Sequence, residues 1–286
     1  MTATTPTAPR RSWRRVASQV ALYAAALTLF VFSVFPLVWM LLTSLKPRSE
    51  IRTSEPVFVP SELLWSRYAD VIERGFAQAL GNSLIVSLTT VVLGLTVAVF
   101  AGYALARFDL PFKRYLAMVV LATQMFPLVV LLIPLFTIMR SLGLLGSYTG
   151  LVVSYLSFTT SLAVWILRGF FLSIPADLEG AALVDGCTRF GAIRRVVLPL
   201  AGPGVAACAI FTFIAAWNEF LMALTFIQDD ARATLPVALT AFTGRAGADS
   251  GLIMAFSVLF TLPVVVFFLL AHRRLTTGVV AGAVKG

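Results

Sequence analysis

Charge is scarce in this sequence. Asp, Glu, Lys and Arg make up 12% of the 286 residues, against about 25% in a soluble domain. A deficit of that size excludes an ordinary water-facing surface and points to the bilayer as solvent. Cysteine occurs only at Cys187 and Cys208, too thinly for a disulfide framework. The one histidine, His272, closes the last apolar run and reads as an interfacial residue. No His/Cys/Glu group has metal-ligand spacing, so no metal site is expected. Lys46, Lys113 and Lys285 are followed by Pro, Arg and Gly, so the chain has no Gly-Lys-Ser/Thr phosphate loop and cannot hydrolyse ATP by that route. No paired acids and no nucleophile beside a base stand in or next to an apolar run, which argues against a membrane-embedded enzyme and leaves no catalytic residue to assign.

What is present is apolar: 59% of the chain. Residues 16–45, 75–106, 115–139, 141–167, 196–218 and 250–272 contain no charged side chain. Each run reaches the roughly 20 residues needed to cross the hydrocarbon core. Helices buried in a soluble protein seldom stay uncharged all round for this length. The expectation is an all-α polytopic membrane protein with six spanning helices, at 18–42, 79–105, 115–139, 149–171, 203–226 and 251–272. The basic tail before the first run is similar to a secretory signal, but that run is too long for one and no small-residue cleavage pattern closes it.

The basic residues give the orientation. With the N-terminus inside, the inner segments hold 14 of the 22 Lys and Arg and only Asp109, Asp177, Glu179 and Asp185 as acids. The outer segments hold eight of each sign. The net charge of +9 is therefore almost wholly a cytoplasmic excess, as the positive-inside rule requires, and nucleic-acid binding is not needed to account for it. One membrane domain, 18–272, is expected between cytoplasmic tails 1–17 and 273–286.

Two local features bear on the shape of the spans and their connections. In the outer segment 61–76, Leu64, Tyr68 and Val71 share a helical face with Trp65 and Ile72 beside it, which suits either an amphipathic helix on the membrane surface or a packed loop helix. Pro36, Pro127, Pro134 and Pro263 each remove a backbone donor within a span and can kink it.

The inner segment 173–202 is long and has internal design: SIPADLEGAALVDGCTRFGAIRRVVLPLAG. Pro175 suits a helix start. Asp177 and Glu179 complement the helix dipole in the first turn. Leu178 and Ala182 are expected to share a face at i, i+4. Gly180, Ala181 and Ala182 give a small surface for close packing, Gly186 is a stop, and Pro199 and Pro203 redirect the chain into the fifth span. The expected product is a short helix parallel to the membrane between the fourth and fifth spans.

At these residues the sequence resembles the inner-membrane permeases of ABC importers. Ala181, Ala182, Gly186, Val196, Leu198 and Pro199 fall in the places of that family's Glu-Ala-Ala loop, with Asp185 as in its sugar branch. Gly180 stands where the family's Glu is expected, and Glu179 sits one place earlier, unable to point the same way. GYALARFDLPFKR at 102–114, AAWNEFLMALTFI at 215–227 and the terminal AGAVKG are similar to the maltose-type carbohydrate permeases, in particular to the smaller six-helix subunit of the pair. The resemblance implies a bacterial-type inner membrane and a role as permease rather than enzyme. The implied partners are a second permease subunit in a heterodimer, two ATP-binding subunits carrying ATP and Mg, an extracytoplasmic solute-binding protein and a sugar substrate. The implied ATPase-coupling residues are Leu178, Glu179, Gly180, Ala181, Ala182, Asp185, Gly186, Leu198 and Pro199. Residues 228–250 are the implied outer contact and 278–286 the implied inner one. A permease of the same superfamily for a non-sugar solute is the alternative.

Polar groups within lipid face a bundle interior or a water-filled path. Trp217, Asn218 and Glu219 are candidates to line the substrate path, with Asn82 and Gln124. For Glu219 an interhelical hydrogen bond or a place near the outer interface is equally open.

Overall fold

The computed structural model describes residues 13–53, 55–245 and 249–283. Among the described residues all regular structure is helical. The order is α1 (Trp13–Leu45), α2 (Arg48–Ile51), α3 (Ser66–Val71), α4 (Ala77–Arg107), α5 (Lys113–Ala122), α6 (Leu128–Ser141) and α7 (Tyr148–Ser173). There follow α8 (Ala176–Val184), α9 (Arg189–Ala192), α10 (Leu198–Leu200), α11 (Gly202–Trp217), α12 (Leu221–Phe226), α13 (Leu235–Arg245) and α14 (Ser250–Ala283).

Four of these helices are long and apolar enough to cross a membrane, and six spans result if two bent pairs each count as one. The second and fourth expected helices correspond to α4 and α7. The third, expected to be continuous over 115–139, is bent by 101° between α5 and α6. Pro127 explains the bend: it lacks an N–H and drives Phe126 into extended backbone, φ −78° and ψ 126°. The fifth, expected over 203–226, stops at Trp217 and restarts at Leu221. Before it, the turn at Ala201 swings the chain by 78°, where Pro199 and Pro203 called for a redirection. The sixth was expected to end at His272, yet α14 continues through the tail to Ala283. Residues 1–12, most of the expected N-terminal tail with Arg10 and Arg11, lie outside the described residues, as do 246–248 of the expected outer contact and 284–286 of the inner one.

The bundle is built on α4 and α7, which pack along each other, with α11 against both and α14 against α1 and α11. One buried cluster gathers Tyr103, Val164, Leu167, Phe171, Ile193 and Val197 at the end nearest α8. A second surrounds Tyr155 and Met222, with Leu151 in the first turn of α7 and Ala233 in the loop before α13. A third holds Val71, Phe213, Trp217 and Phe256 towards the far end. The segment 61–76, expected on the outer side, is a packed loop helix: Val71 is buried and the Tyr68 hydroxyl is 2.6 Å from the Ser44 hydroxyl, while Trp65 and Ile72 are exposed. By contrast α1 leaves its apolar side chains exposed from Val20 to Val38, as a helix bathed in lipid does.

At the far end, Asp249 caps α14 by accepting hydrogen bonds from the amides of Gly251 and Leu252, at 3.0 and 3.4 Å. It pairs with Arg48 at 2.7 Å and Arg67 at 3.6 Å. A Cβ on Gly251 would fall 2.0 Å from an Arg67 nitrogen, so any larger residue here would displace the guanidinium from this position.

Candidate functional site: a surface helix and a groove between broken helices

The helix expected from the inner segment is α8. Pro175 holds its N-cap at φ −57°, ψ 132°, with Asp177 and Glu179 in the first turn. It ends in a Schellman motif: the Gly186 amide donates to Leu183 O at 3.1 Å and the Cys187 amide to Ala182 O at 3.0 Å. That turn requires a left-handed residue, which Gly186 supplies at φ 86°. Thr188 then caps α9 by accepting from the Gly191 amide at 3.1 Å.

The helix has two unlike sides. Leu178, Gly180, Ala181, Asp185 and Gly186 are exposed, and Val184 is 88% exposed. Pro199 is exposed and Leu198 half-buried at the start of α10. Ala182 and Glu179 are buried and face the bundle, so Ala182 is parted from the exposed Leu178 with which the i, i+4 spacing placed it on one face. Glu179 therefore belongs to the inner side of α8 rather than to its open face. Its carboxylate accepts a hydrogen bond from the Tyr103 hydroxyl and pairs with Arg107 Nε at 3.2 Å. Arg107 also donates through Nη2 to Ile174 O at 2.7 Å. Tyr103 and Arg107 are one turn apart on α4, so a single helix face ties the start of α8 to the core. Phe171 meets the Tyr103 ring edge-on, with centroids 6.0 Å apart.

The path candidates divide. Gln124 lies at the α5–α6 break and donates to Phe158 O at 2.9 Å. With Thr123, Leu128, Ser157 and Phe158 it lines a cavity of about 470 Å³. Asn218 and Glu219 lie at the α11–α12 break and line an adjoining cavity of about 360 Å³ with Leu128, Phe158 and Phe220. Leu128 and Phe158 border both cavities, so the two breaks open onto one groove. The N-termini of α6 and α12 both border it, a broken-helix arrangement of the kind that presents backbone groups to a solute.

Glu219 is less available than its charge suggests. Its carboxylate accepts from the Met222 amide at 2.9 Å, the Ala223 amide at 3.1 Å and the Tyr155 hydroxyl at 2.8 Å. It starts α12 and is an interhelical partner, which also explains the break in the fifth span. Asn82 and Trp217 do not reach the groove. Asn82 donates to Ala231 O and Ala233 O at 3.0 and 2.9 Å and accepts from the Tyr148 hydroxyl at 2.7 Å, so it fastens the loop before α13. Trp217 is 1% exposed, stacked on Phe213 at 5.3 Å.

Sequence reasoning missed Ser157, Phe158 and Leu128 in the groove, and Tyr103 and Arg107 beneath α8. The Tyr-x-x-x-Arg spacing was a usable signal for the latter pair, whereas Phe158 is one apolar residue among many.

Residues 91–279 match the binding-protein-dependent transport system inner membrane component family. The chain belongs to this family. It is a permease subunit of the ABC importer class, a multi-pass protein of the inner membrane, and ATP hydrolysis in such importers falls to separate subunits. The permease is 39% identical to the trehalose transport system permease protein SugB of Mycobacterium tuberculosis over 93% of its own length and 98% of the relative's. It is 38% identical to the sulfoquinovosyl glycerol transport system permease protein SmoH of Agrobacterium fabrum, over 92% and 93%. It is 37% identical to the diacetylchitobiose uptake system permease protein DasC of Streptomyces coelicolor, over 91% and 95%. Its fold is that of a chain in the crystal structure of a bacterial ABC transporter importing the acidic polysaccharide alginate, with a TM-score of 0.76, 23% identity, and coverage of 94% and 99%. The matched segment contains both α8 and the groove.

Proposed function

We propose that this permease imports a carbohydrate through the groove between the two helix breaks and receives the power stroke on α8. One observation carries the reading. Gln124, Ser157 and Asn218 share with Phe158 and Phe220 a groove whose one acid, Glu219, is already engaged by amides and a tyrosine. Amide and hydroxyl groups beside aromatic rings suit a neutral polyhydroxylated ring, which needs hydrogen bonds at its rim and apolar contact on its faces. The trehalose and diacetylchitobiose relatives agree with that substrate class, and the sulfoquinovosyl glycerol relative agrees with a carbohydrate, although its sugar carries a sulfonate.

In this reading the α8 end is cytoplasmic, which the basic excess supports, and both termini lie there. Two ATP-binding subunits, holding ATP and Mg, take the exposed small face of Leu178, Gly180, Ala181 and Val184 into a cleft. A second permease subunit completes the pore as a heterodimer, and a solute-binding protein delivers sugar at the far end near residues 228–250. Closure of the ATPase pair moves α8, and the bundle alternates between inward and outward openings by rigid-body motion.

The test is uptake by the full transporter reconstituted with its loaded binding protein. Gln124→Ala and Asn218→Ala are each expected to reduce transport by roughly 5–30-fold, the effect of losing one or two hydrogen bonds to the solute. Sugar affinity of the isolated binding protein should stay unchanged. Unaltered uptake in both variants would remove the groove from the path.

A further inference from the structure

Three cations stand together in this permease without a counter-charge. Lys113 and Arg114 open α5, and Arg168 lies near the C-terminal end of α7. With Ala117, Met118 and Trp165 they line a cavity of about 380 Å³ at the α8 end of the bundle. None of the three forms an ion pair within the chain among the described residues. Arg168 lays its guanidinium over the Trp165 ring, 5.5 Å from the centroid, and its buried Nε has no partner. Lys113 reaches one main-chain oxygen, that of Ala106, at 3.4 Å. Asp109, the acid nearest in sequence, is exposed and outside the lining.

Gathering like charges in a partly desolvated cavity is unfavourable unless an anion joins them. Two guanidinium forks and one ammonium match the oxygens of a phosphate group. The remaining walls are apolar, and the flank of α5 beyond them, Leu116 and Val119, is exposed. A tryptophan beside basic residues at the end of a span is the arrangement of a headgroup zone. A free phosphate would satisfy the cations but leave the apolar flank uncovered, whereas a phospholipid satisfies both.

We infer that this cavity binds the phosphate of an anionic phospholipid in the leaflet on the α8 side, with an acyl chain along α5. Basic pockets between spans on that side of a membrane protein suit such headgroups.

The test is native mass spectrometry of the assembled transporter with added phosphatidylglycerol or phosphatidylcholine. Phosphatidylglycerol retention should weaken roughly five-fold for each cation removed, comparing Arg114→Gln with the triple variant Lys113→Gln/Arg114→Gln/Arg168→Gln, while phosphatidylcholine retention stays level. A second readout covers a triple variant that fails to assemble: phosphatidylglycerol with brominated acyl chains should quench tryptophan emission of the wild type more than that of Trp165→Phe. Equal phosphatidylglycerol retention in wild type and Arg114→Gln, or quenching untouched by Trp165→Phe, overturns the proposal. Displacement of the lipid by inorganic phosphate alone would assign the cations to free phosphate instead. Loss of the second membrane subunit from the triple variant, with lipid retention normal in Arg114→Gln, would make the cavity a protein contact.

Discussion

Glu179 shows how one side chain divides a surface. Its neighbours Gly180 and Ala181 put small, uncharged side chains on the open face of α8 beside it, while its own carboxylate turns inward to Tyr103 and Arg107. The pair is largely shielded, with side-chain exposures of 14% and 11%. Removing one member of such a pair strands the other and costs about 3 kcal/mol or more. Glu179→Gln is therefore expected to loosen α8 from α4 without touching the open face. In reconstituted transporter, ATP-binding subunits should still co-purify, while solute imported per ATP hydrolysed falls several-fold. An unchanged ratio would show that the Tyr103–Glu179–Arg107 tie does not transmit motion. The sequence made half of this legible. Glu179 stood visibly one place away from the expected acid position, which on a helix is a rotation of about 100°, so it points away from the direction of the family's Glu. Its true partners lay more than seventy positions upstream, and nothing in a single sequence links them. Glu219 likewise allowed several readings, because a carboxylate within a span looks the same whether it meets a solute or the amides of a restarting helix.

At the scale of elements, α8 was the most legible part of the chain. Pro175, the early acids and Gly186 are local signals that act within one turn, and the structure uses each of them. Gly186→Val tests the most demanding of these. A β-branched residue at φ 86° is strained by roughly 1–2 kcal/mol, enough to unravel the Schellman turn that aims the chain towards α9. Gly186→Val should reach the membrane at normal levels and lose stimulation of ATP hydrolysis by the loaded binding protein. Full stimulation would count against α8 as the coupling element. The broken spans were the least legible. Hydropathy rises and falls identically for a straight and a bent run, and proline did not discriminate. Pro36, Pro134 and Pro263 sit inside continuous helices, while Pro127 ends one. The difference lies in the neighbours that pack around each position, which sequence spacing does not report. The groove inherits that illegibility, since it exists only because two breaks meet at Leu128 and Phe158.

At the scale of the whole molecule, the two ends of the bundle are held by different chemistry. The α8 end is closed by the buried apolar cluster around Tyr103 and Phe171. The far end adds charge to its apolar cluster of Val71, Leu252 and Phe256, fastening α2 and α3 to the start of α14. Asp249 is the fastening point, shared by Arg48, Arg67 and two helix amides. Burial alone would raise the Asp249 carboxyl, but the hydrogen bond from Arg48 and the charge of Arg67 outweigh it and hold the group below its ordinary value. A carboxyl depressed in the folded state stabilises fully above its unfolded pKa, near 3.8, and that stabilisation is lost as pH falls through the lower folded value. Asp249→Asn keeps the shape and one acceptor but leaves Arg67, which is 5% exposed, without its counter-charge. The variant should melt at lower temperature than wild type at pH 7, by several degrees for a loss of about 2 kcal/mol. The two curves should begin to close below about pH 4 and meet once pH has fallen through the lower folded value, because the wild type then loses what the variant never had. Thermal unfolding of the purified transporter from pH 7 downward measures this directly. A constant gap in melting temperature across that range would mean that Asp249 fastens the far end through the shape of the cap alone and not through its charge.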